Sequence, residues 1–359
     1  MTALPRTTDL LPTLRVGPVS IRWRPRAVLV SSLLLLALIV MCAVHLAWGS
    51  TSLDPVTVLR TLAGDAPDER TALIVQEFRL PRTVAAITSG MTLALAGALM
   101  QTVSRNPLAS PDVLGVTSGA SLGAVSVLVL AGGGAGGLSG AAALIGMPAA
   151  AFAGGLLAGG AVFVLAYRGT VSGHRVILVG LGITWLASSL TSWLLTLGDV
   201  TNAAQALTWM TGSLNAEEWG LVAPLSVAAL ALCAGATMLA RPLALAAFDE
   251  TTATGLGARI GATRTVALIA AVLLSSVATV LAGPIGFVAL AAPQIARLLT
   301  RGSTPPLFAS ALTGGLMVVL ADLLTARILP VPLPAGVGTA LIGAPYLVWL
   351  LITMQRRSS

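Results

Sequence analysis

Long apolar stretches separated by short polar, glycine or proline breaks run through almost the whole chain. They cover residues 27–48, 84–103, 114–131, 141–167, 176–197, 221–240, 265–281, 285–299, 307–326 and 339–354. A helix needs about 20 apolar residues to cross the hydrocarbon core of a bilayer. The stretches do not alternate between apolar and polar residues, as the strands of a membrane barrel do. The pattern predicts an all-α, polytopic membrane protein with about ten transmembrane helices.

No polar stretch between these runs is long enough to fold as a soluble domain. We therefore predict one ten-helix transmembrane domain over residues 27–354, with a cytoplasmic insertion at about 241–264. An arginine-rich tail, 1–26, precedes this domain and a short tail, 355–359, follows it. The glycines and proline at Gly283, Pro284 and Gly286 leave open whether that region forms one broken hairpin or two short helices.

Composition supports lipid as the solvent of this chain. Of its 359 residues, 56% are hydrophobic and only 9% are charged, with a mean hydropathy of +0.93. Its 20 basic residues are all arginines, and the net charge is +7. They flank the apolar runs rather than form a basic stripe with interleaved aromatic residues, so nucleic-acid binding is not expected. The run at 27–48 follows Arg22, Arg24 and Arg26 like a signal peptide, but it is long enough to span, and we interpret it as an uncleaved first helix.

The arginines also predict the orientation, because arginine near the end of a span prefers the cytoplasmic side. With the N-terminus inside, the cytoplasmic arginines are Arg6, Arg15, Arg22, Arg24, Arg26, Arg105, Arg168, Arg175, Arg241, Arg259, Arg264, Arg297, Arg301, Arg356 and Arg357. The outer side receives only Arg60, Arg70, Arg79, Arg82 and Arg327. An even number of spans therefore places both termini in the cytoplasm.

Residues for catalysis are sparse. His45 and His174 have no second ligand at metal-binding spacing, and Cys42 and Cys233 lie inside apolar runs as small hydrophobes. The chain has no Walker A sequence, no Gly-x-Ser-x-Gly elbow and no His-Glu-x-x-His motif. We expect no metal, no bound cofactor and no enzymatic activity, and energy for any transport would come from a partner.

Asp322 is the one acidic residue well inside a predicted span. An intramembrane carboxylate is costly and is by default a functional hypothesis. A structural role is at least as well supported, because Asp322 lies late in its span, where it could cap a helix or pair with Arg327.

The segment Arg79-Leu80-Pro81-Arg82 lies before the second span, on the predicted outer side. Its two arginines are exceptions to the rule that arginine prefers the cytoplasmic side. The proline suits the start of a helix. The two guanidinium groups either anchor at the membrane interface or bind carboxylates of an acidic partner through bidentate contacts. We favour partner docking.

Two cytoplasmic segments also stand out. Residues 101–115 read QTVSRNPLASPDVLG, in which Arg105, Asn106, Pro107 and Leu108 form a turn that returns the chain to the membrane. Residues 248–261 read FDETTATGLGARIG, an insertion that predicts a short surface helix able to fit a cleft of another protein.

These segments, in this order, closely resemble the FecCD-type permeases, the membrane subunits of ABC importers for iron-siderophores, haem and vitamin B12. The matching motifs are Arg79-Leu-Pro-Arg82, Ser89-Gly90, Gly97, Gln101, Asn106-Pro-Leu-Ala109, Pro111, Leu114-Gly115, Ser118-Gly119-Ala120, Leu256-Gly257, Ala282 to Val288, Pro293, Arg297, Ala321-Asp322 and Gly338 to Pro345. Each motif is weak alone, but their joint order is specific.

The resemblance implies a vitamin B12-permease-like bundle in the bacterial inner membrane. The expected partners are a second permease, as a hetero- or homodimer, two cytoplasmic ATPases that hydrolyse ATP, and an extracytoplasmic binding (lipo)protein. Arg79, Arg82 and Arg327 match the arginines that dock the binding protein. The ATPase-coupling segment is matched by Asp249, Glu250, Leu256 and Gly257. Asp322 matches a family acid, which favours a structural role.

Two departures from the family pattern bear on the outer site. Pro332-Leu333-Pro334 stands where family members have Glu-Leu-Pro, and one residue is inserted between Asp322 and Arg327. The long first span and its arginine-rich lead resemble one partner of a heterodimeric siderophore permease, so we favour a ferric siderophore as substrate. Vitamin B12 and haem stay open. A secondary transporter or an intramembrane enzyme is disfavoured, because neither coupling acids in both halves nor His, Cys or acid clusters occur in the spans.

Overall fold

The protein is built almost entirely of helices joined by short turns. The structure, a computed structural model, describes residues 13–16, 19–22, 25–49, 51–132, 141–168, 170–171, 173–214, 218–246, 250–328 and 333–358. The helices are α1 (Pro25–Ala47), α2 (Pro55–Leu62), α3 (Glu69–Leu73), α4 (Leu80–Ser104), α5 (Val116–Gly132), α6 (Ala141–Ala166), α7 (Gly173–Leu197), α8 (Val200–Met210), α9 (Trp219–Met238), α10 (Ala240–Ala246), α11 (Glu250–Gly255), α12 (Ile260–Ala282), α13 (Val288–Thr300), α14 (Leu307–Leu323) and α15 (Ala335–Ser358). Two short antiparallel strand pairs join β1 (Thr13–Val16) to β2 (Val19–Arg22) and β3 (Tyr167–Arg168) to β4 (Thr170–Val171).

Seven helical segments of the described chain are long and apolar enough to cross a membrane. They are Pro25–Ala47, Glu69–Ser104, Gly146–Ala166, Arg175–Leu197, Trp219–Met238, Ile260–Ala282 and Leu307–Ala326. Three shorter apolar helices, Val116–Leu130, Val288–Thr300 and Ala335–Leu350, occupy the remaining predicted spans. The predicted all-α fold with about ten transmembrane helices is confirmed.

The segment containing α4 lies at the centre of the bundle, and α1 lies at its edge. In the most apolar window of each segment, 83% of the residues are buried for Glu69–Ser104, compared with 11% for α1. Leu29, Leu33 and Leu36 of α1 are exposed, as expected for side chains that face lipid. The central helix packs mainly against α12, α13 and α14.

Small residues allow these central helices to approach closely. A methyl carbon added at Gly90 would overlap the backbone of Gly314, and one added at Gly97 would overlap the carbonyl oxygen of Ala289. Association of helices in lipid depends on such close backbone contact. The sequence motifs at Gly90 and Gly97 are therefore packing positions between α4 and its neighbours α14 and α13.

The region around Gly283 forms two helices rather than one broken hairpin. The backbone of Gly283 (φ +67°) ends α12, and Phe287 (φ +67°) precedes α13. This turn meets the end of α8 and the start of α15, where the Gly336 amide donates to the Gly212 carbonyl oxygen at 3.0 Å. A methyl carbon at Gly336 would overlap the carbonyl oxygen of Thr211, so only glycine fits this junction.

Two wide π-helical turns, Ile74–Arg79 and Leu324–Ile328, lie directly before α4 and directly after α14. In the first, the Leu80 amide donates to the carbonyl of Val75, five residues earlier. Pro81 follows, and its ring would collide with the carbonyl four residues before it in a regular α-helix. The wide turn accommodates this proline. As expected, Pro81 lies in the first turn of α4, although the helical segment as a whole begins at Glu69 and passes through the π turn without a break.

Candidate functional site

The Arg82 side chain forms a bidentate ion pair with Asp322 between the N-terminal end of α4 and the C-terminal end of α14, the ends that are predicted to face outward. Its Nε lies 2.8 Å from Asp322 Oδ2, and its Nη2 lies 2.7 Å from Oδ1. The Asp322 side chain is fully buried, whereas that of Arg82 is 19% exposed. Two parallel charge-assisted hydrogen bonds are the strong form of this contact. The pair therefore joins two central helices and still presents part of a cation at the surface.

His45 brings α1 into the same site. Its Nε2 lies 2.8 Å from Asp322 Oδ2, and its Nδ1 lies 2.8 Å from the hydroxyl oxygen of Thr83. The imidazole has no exposed surface. A buried carboxylate needs partners for its charge, and Asp322 receives them from two different helices. The outer cluster, defined as His45, Arg82, Thr83 and Asp322, thus connects α1, α4 and α14.

Arg79 lies one turn before this cluster and binds backbone rather than a carboxylate. Its Nη1 donates to the carbonyl oxygens of Leu46 at 2.6 Å and Ala47 at 3.0 Å, and its Nη2 donates to that of Thr51. The last carbonyls of a helix have no partner within the helix and attract cations. Arg79, only 5% exposed, therefore caps the C-terminal end of α1.

These contacts give Asp322 partners that the sequence did not indicate, while its pairing with Arg327 stays a prediction. The carboxylate binds Arg82 and His45, which precede it by 240 and 277 residues. Arg327 lies in the π turn after α14, and its side chain lies outside the described part of the chain. A π turn holds one residue more than an α turn, so this turn would accommodate the insertion that the family resemblance implies between Asp322 and Arg327.

The C-terminal end of α4, which is predicted to face the cytoplasm, is closed by an ordered turn. Arg105 adopts the left-handed conformation (φ +50°), and the Asn106 amide donates to the carbonyl of Gln101 at 3.2 Å, a Schellman-type end. The side-chain oxygen of Asn106 accepts from the Leu108 amide at 2.9 Å, while Pro107 has no amide hydrogen to satisfy. This turn is followed by a 3₁₀ turn, Pro111–Leu114, that leads into α5.

A buried amide pair fastens this end of α4 to α13. Gln101 donates to the Leu290 carbonyl at 3.0 Å and accepts from Gln294 at 2.6 Å. Both glutamines are almost fully buried. The family-like residue Gln101 therefore has a structural function at the α4–α13 contact.

The insertion at 241–264 contains the short helices α10 and α11. Leu256 and Gly257 follow the last residue of α11. The Gly257 amide donates a hydrogen bond to the Thr254 carbonyl oxygen at 2.9 Å, and Gly257 has a φ of +80°. The Leu256 side chain is 59% exposed. Asp249 lies outside the described residues, and Glu250 is described through its backbone only. The predicted short surface helix is thus present as α11.

The outer cluster and this insertion lie at opposite ends of the bundle. Arg82 and Arg105 are 23 residues apart in α4 and its end, about 35 Å at 1.5 Å per residue. Arg105 lines a cavity of about 310 Å³ together with Arg264, near the start of α12 and the insertion that precedes it. A central bundle of membrane helices with a charged site at one end and an insertion at the other defines a polytopic membrane permease.

The chain belongs to the FecCD transport family, whose model matches residues 35–353. The ferric enterobactin transport system permease protein FepG of Escherichia coli (strain K12) is 34% identical over 92% of this chain and 98% of its own length. The achromobactin transport system permease protein CbrC of Dickeya dadantii (strain 3937) is 38% identical over 91% of each chain. The Fe(3+) dicitrate transport system permease protein FecD of E. coli K12 is 39% identical over 79% of this chain and 86% of its own.

A solved structure supports the same fold. It is described as an inward-facing conformation of a metal-chelate type ABC transporter, and it matches with a TM-score of 0.77 at 26% identity. The match covers 91% of this chain and 99% of the other. The resemblance to FecCD-type permeases is confirmed by the family, the relatives and the fold together.

Sequence reasoning missed His45 and Thr83 as members of the outer cluster. A signal existed, because His45 and Asp322 are both polar residues inside apolar runs, and such residues usually pair with one another. The docking role of Arg79, Arg82 and Arg327 and the coupling role of Asp249, Glu250, Leu256 and Gly257 stay predictions.

Proposed function

We propose that this FecCD permease forms half of the membrane path through which a bacterial importer takes up a ferric siderophore. A second permease, most simply a different chain, forms the other half. Two cytoplasmic ATPases hydrolyse the ATP, and an extracytoplasmic binding protein delivers the substrate. Both termini of this chain lie in the cytoplasm of an inner-membrane protein.

One observation carries the proposal, the separation of two partner-binding features to opposite ends of the bundle. Arg82 is partly exposed at the outer end, and Leu256 is exposed on the insertion near the other end. A permease that is driven by ATP hydrolysis in a partner subunit needs one surface that contacts the binding protein outside and another that contacts the ATPase inside. Relatives named for ferric enterobactin, achromobactin and ferric dicitrate transport support an iron chelate as cargo.

For docking, the geometry favours Arg82 over Arg79. Arg82 keeps exposed surface beside its ion pair, whereas Arg79 is buried on carbonyl oxygens of the chain. Carboxylates of a binding protein would meet Arg82 at the surface, with Arg79 holding the end of α1 in place and Arg327 contributing from the π turn. Long-range attraction of this kind raises the rate of association and fixes orientation.

For coupling, α11 and its Leu256-Gly257 end, with Asp249 and Glu250 before them, would seat in a groove of the ATPase. An exposed leucine on a short helix suits insertion into an apolar groove. Closure of the ATPases on ATP would then move helices as rigid bodies and alternate the access of the path between the two sides.

The substrate is tested by uptake in a strain that lacks this chain and carries it on a plasmid. Radiolabelled ferric siderophore should accumulate only in the complemented strain, while vitamin B12 and haem uptake should not depend on the chain. Siderophore uptake equal in both strains would overturn the substrate class. If uptake of vitamin B12 or haem depends on the chain, that compound replaces the ferric siderophore as the proposed substrate.

Docking is tested separately with the assembled importer. Arg82→Glu should abolish capture of the importer's own binding protein while leaving its ATPases bound. Arg60→Glu makes the same charge change at an exposed arginine of the outer side and should reduce capture only slightly. Capture that survives Arg82→Glu would mean that the outer arginines act only as membrane anchors, and an equal loss in both variants would mean that Arg82 has no specific docking role.

A further inference from the structure

The hydrogen bonds of the outer cluster determine where its protons lie. The hydroxyl oxygen of Thr83 is 2.7 Å from the carbonyl oxygen of Arg79, one helical turn earlier. Two oxygens at this distance need a hydrogen between them, and only the Thr83 hydroxyl can supply it. That hydroxyl therefore acts as the acceptor towards His45, so Nδ1 of His45 carries a hydrogen.

The other imidazole nitrogen is also a donor. The bidentate contact with Arg82 requires an ionised Asp322, because a guanidinium has only donors to offer. The Nε2 of His45 lies 2.8 Å from that carboxylate and so donates to it. An imidazole that donates from both nitrogens is the cationic imidazolium.

The charges of the cluster then sum to one positive unit, because two cations, His45 and Arg82, share a single anion, Asp322. Among the described side chains of neighbouring segments, Arg79 adds positive charge. The other charged groups there are exposed to solvent and screened, and they are Asp54, Arg60, Asp65, Asp68, Glu69, Arg70, Glu77 and Glu218. The Arg327 side chain lies outside the described part. A neutral His45 would reduce the sum to zero and leave Asp322 to offset Arg82 alone.

We infer that His45 is a positioning residue for docking: as an imidazolium it neutralises Asp322, so that the outer cluster presents a net positive charge to an acidic partner. This inference rests on the proposed docking at Arg82. The same contacts could hold α1 in place without affecting docking, and a purely structural role predicts no dependence of docking on the charge of His45.

Spectroscopy tests the protonation directly in a protein with an intact cluster. The chain has two histidines, so His174→Gln leaves His45 as its single imidazole. Nitrogen-15 NMR of this variant, with labelled histidine and assembled in the importer in lipid nanodiscs, should show two protonated ring nitrogens at about pH 6.5. A neutral tautomer under these conditions overturns the inference.

Docking supplies the functional test. The affinity of the importer's own binding protein is measured at low ionic strength between about pH 6 and pH 8.5, the range in which imidazoles but not guanidinium groups lose a proton. His45→Gln should bind about tenfold more weakly than wild type at pH 6. Its affinity should fall less with rising pH than that of wild type, and His174→Gln should keep the wild-type profile.

The outcomes separate this inference from the docking proposal. If Arg82→Glu loses docking but assembled His45→Gln keeps wild-type affinity and pH profile, the role of His45 is overturned and docking at Arg82 stands. If the Arg82→Glu variant binds the binding protein normally, both the docking role of Arg82 and the positioning role of His45 are overturned. Assembly is verified for every variant by retained ATPases, and should His45→Gln fail to assemble, the NMR measurement decides.

Discussion

At the scale of single residues, the Asp322 carboxylate is a charged group that is fully buried in the bundle. A buried charge is tolerated only with close partners, and removing one partner of such a set leaves the others uncompensated. Here the set draws on three helices, through His45, Arg82 and Asp322. The cluster therefore links local chemistry to the packing of α1 against the centre.

We predict that Asp322→Asn lowers the free energy of unfolding by about 3 kcal/mol, because two cations then lie together without an anion. Thermal unfolding in detergent measures the loss. Asp199→Asn removes an acid that is exposed at the start of α8 and should change stability by less than about 0.5 kcal/mol. Equal effects at the two positions would show that the ion pair contributes nothing.

A second residue-scale prediction concerns Asp112, in the 3₁₀ turn before α5. Burial raises the pKa of its carboxyl above the ordinary 3.8, although hydrogen bonds from Thr117 and Ser110 oppose the shift. A raised pKa in the folded state means that this group's contribution to stability is complete below pH 3.8 and is lost as the pH rises through the folded pKa.

Asp112→Asn keeps an oxygen for the Thr117 hydroxyl, which lies 2.7 Å from Asp112 Oδ1, but cannot ionise. Wild type and variant should be equally stable near pH 4, and the variant should be more stable by on the order of 1 kcal/mol at pH 7. Unfolding temperatures across this pH range measure the difference. A variant that is less stable at pH 7 would show that the charge is needed there.

Sequence reasoning found the residues of the outer site better than their contacts. Arg82 and Asp322 both departed from expectation, one as a cation on the outer side and the other as an acid in a span. Their pairing was not predicted, because residues 240 apart meet only through helix rotations that no local pattern records. His45 was missed for the same reason.

At the scale of elements, apolar length predicted the helices well. The run at 141–167 became α6, Ala141–Ala166, and the run at 307–326 became α14 with its π turn. The short helices α2 and α8 were not predicted, because a helix of 8 or 11 residues leaves no long apolar run. Pro81 correctly indicated the start of α4, but it did not reveal the helical turns before α4, since its steric demand is met by a wider turn.

Close backbone contact between elements gives a matched pair of substitutions. Gly97→Ala should lower the free energy of unfolding by about 3 kcal/mol, because the added methyl group overlaps the Ala289 carbonyl and separates α4 from α13. Gly160→Ala, in α6, meets nothing within 4 Å and should change stability by less than about 1 kcal/mol. Unfolding in detergent compares the two, and an equal loss would refute the packing role of Gly97.

At the scale of the whole molecule, the two ends must communicate for transport. Helix α4 and the turn at Arg105 connect the outer cluster to the opposite end of the bundle within one continuous element, which the Gln101–Gln294 contact joins to α13. A movement imposed on the insertion before α12 would reach the outer end through such packed helices. Stability and transport are therefore expected to separate in variants of the insertion.

Gly257→Ala should uncouple ATP hydrolysis from uptake. Gly257 has φ +80°, a conformation that costs a residue with a side chain about 1 kcal/mol, so the end of α11 and the exposed Leu256 should be displaced. Gly255→Ala, with negative φ and no neighbour within 4 Å, is the control. ATPase activity and siderophore uptake are measured with the same proteoliposomes, and normal uptake by Gly257→Ala would exclude this segment from coupling.

The π turn at Leu324–Ile328 bears on how this chain is compared with other permeases. An extra residue absorbed in one wide turn leaves the helices on either side in their usual register, so a length difference here need not displace α14 or α15. Shorter permeases should then match this chain residue by residue up to Asp322 and again from Ala335, with the gap confined to the segment between. The counterpart of Arg327 in such a permease is consequently to be found by its position in space, and not by counting residues from the aspartate.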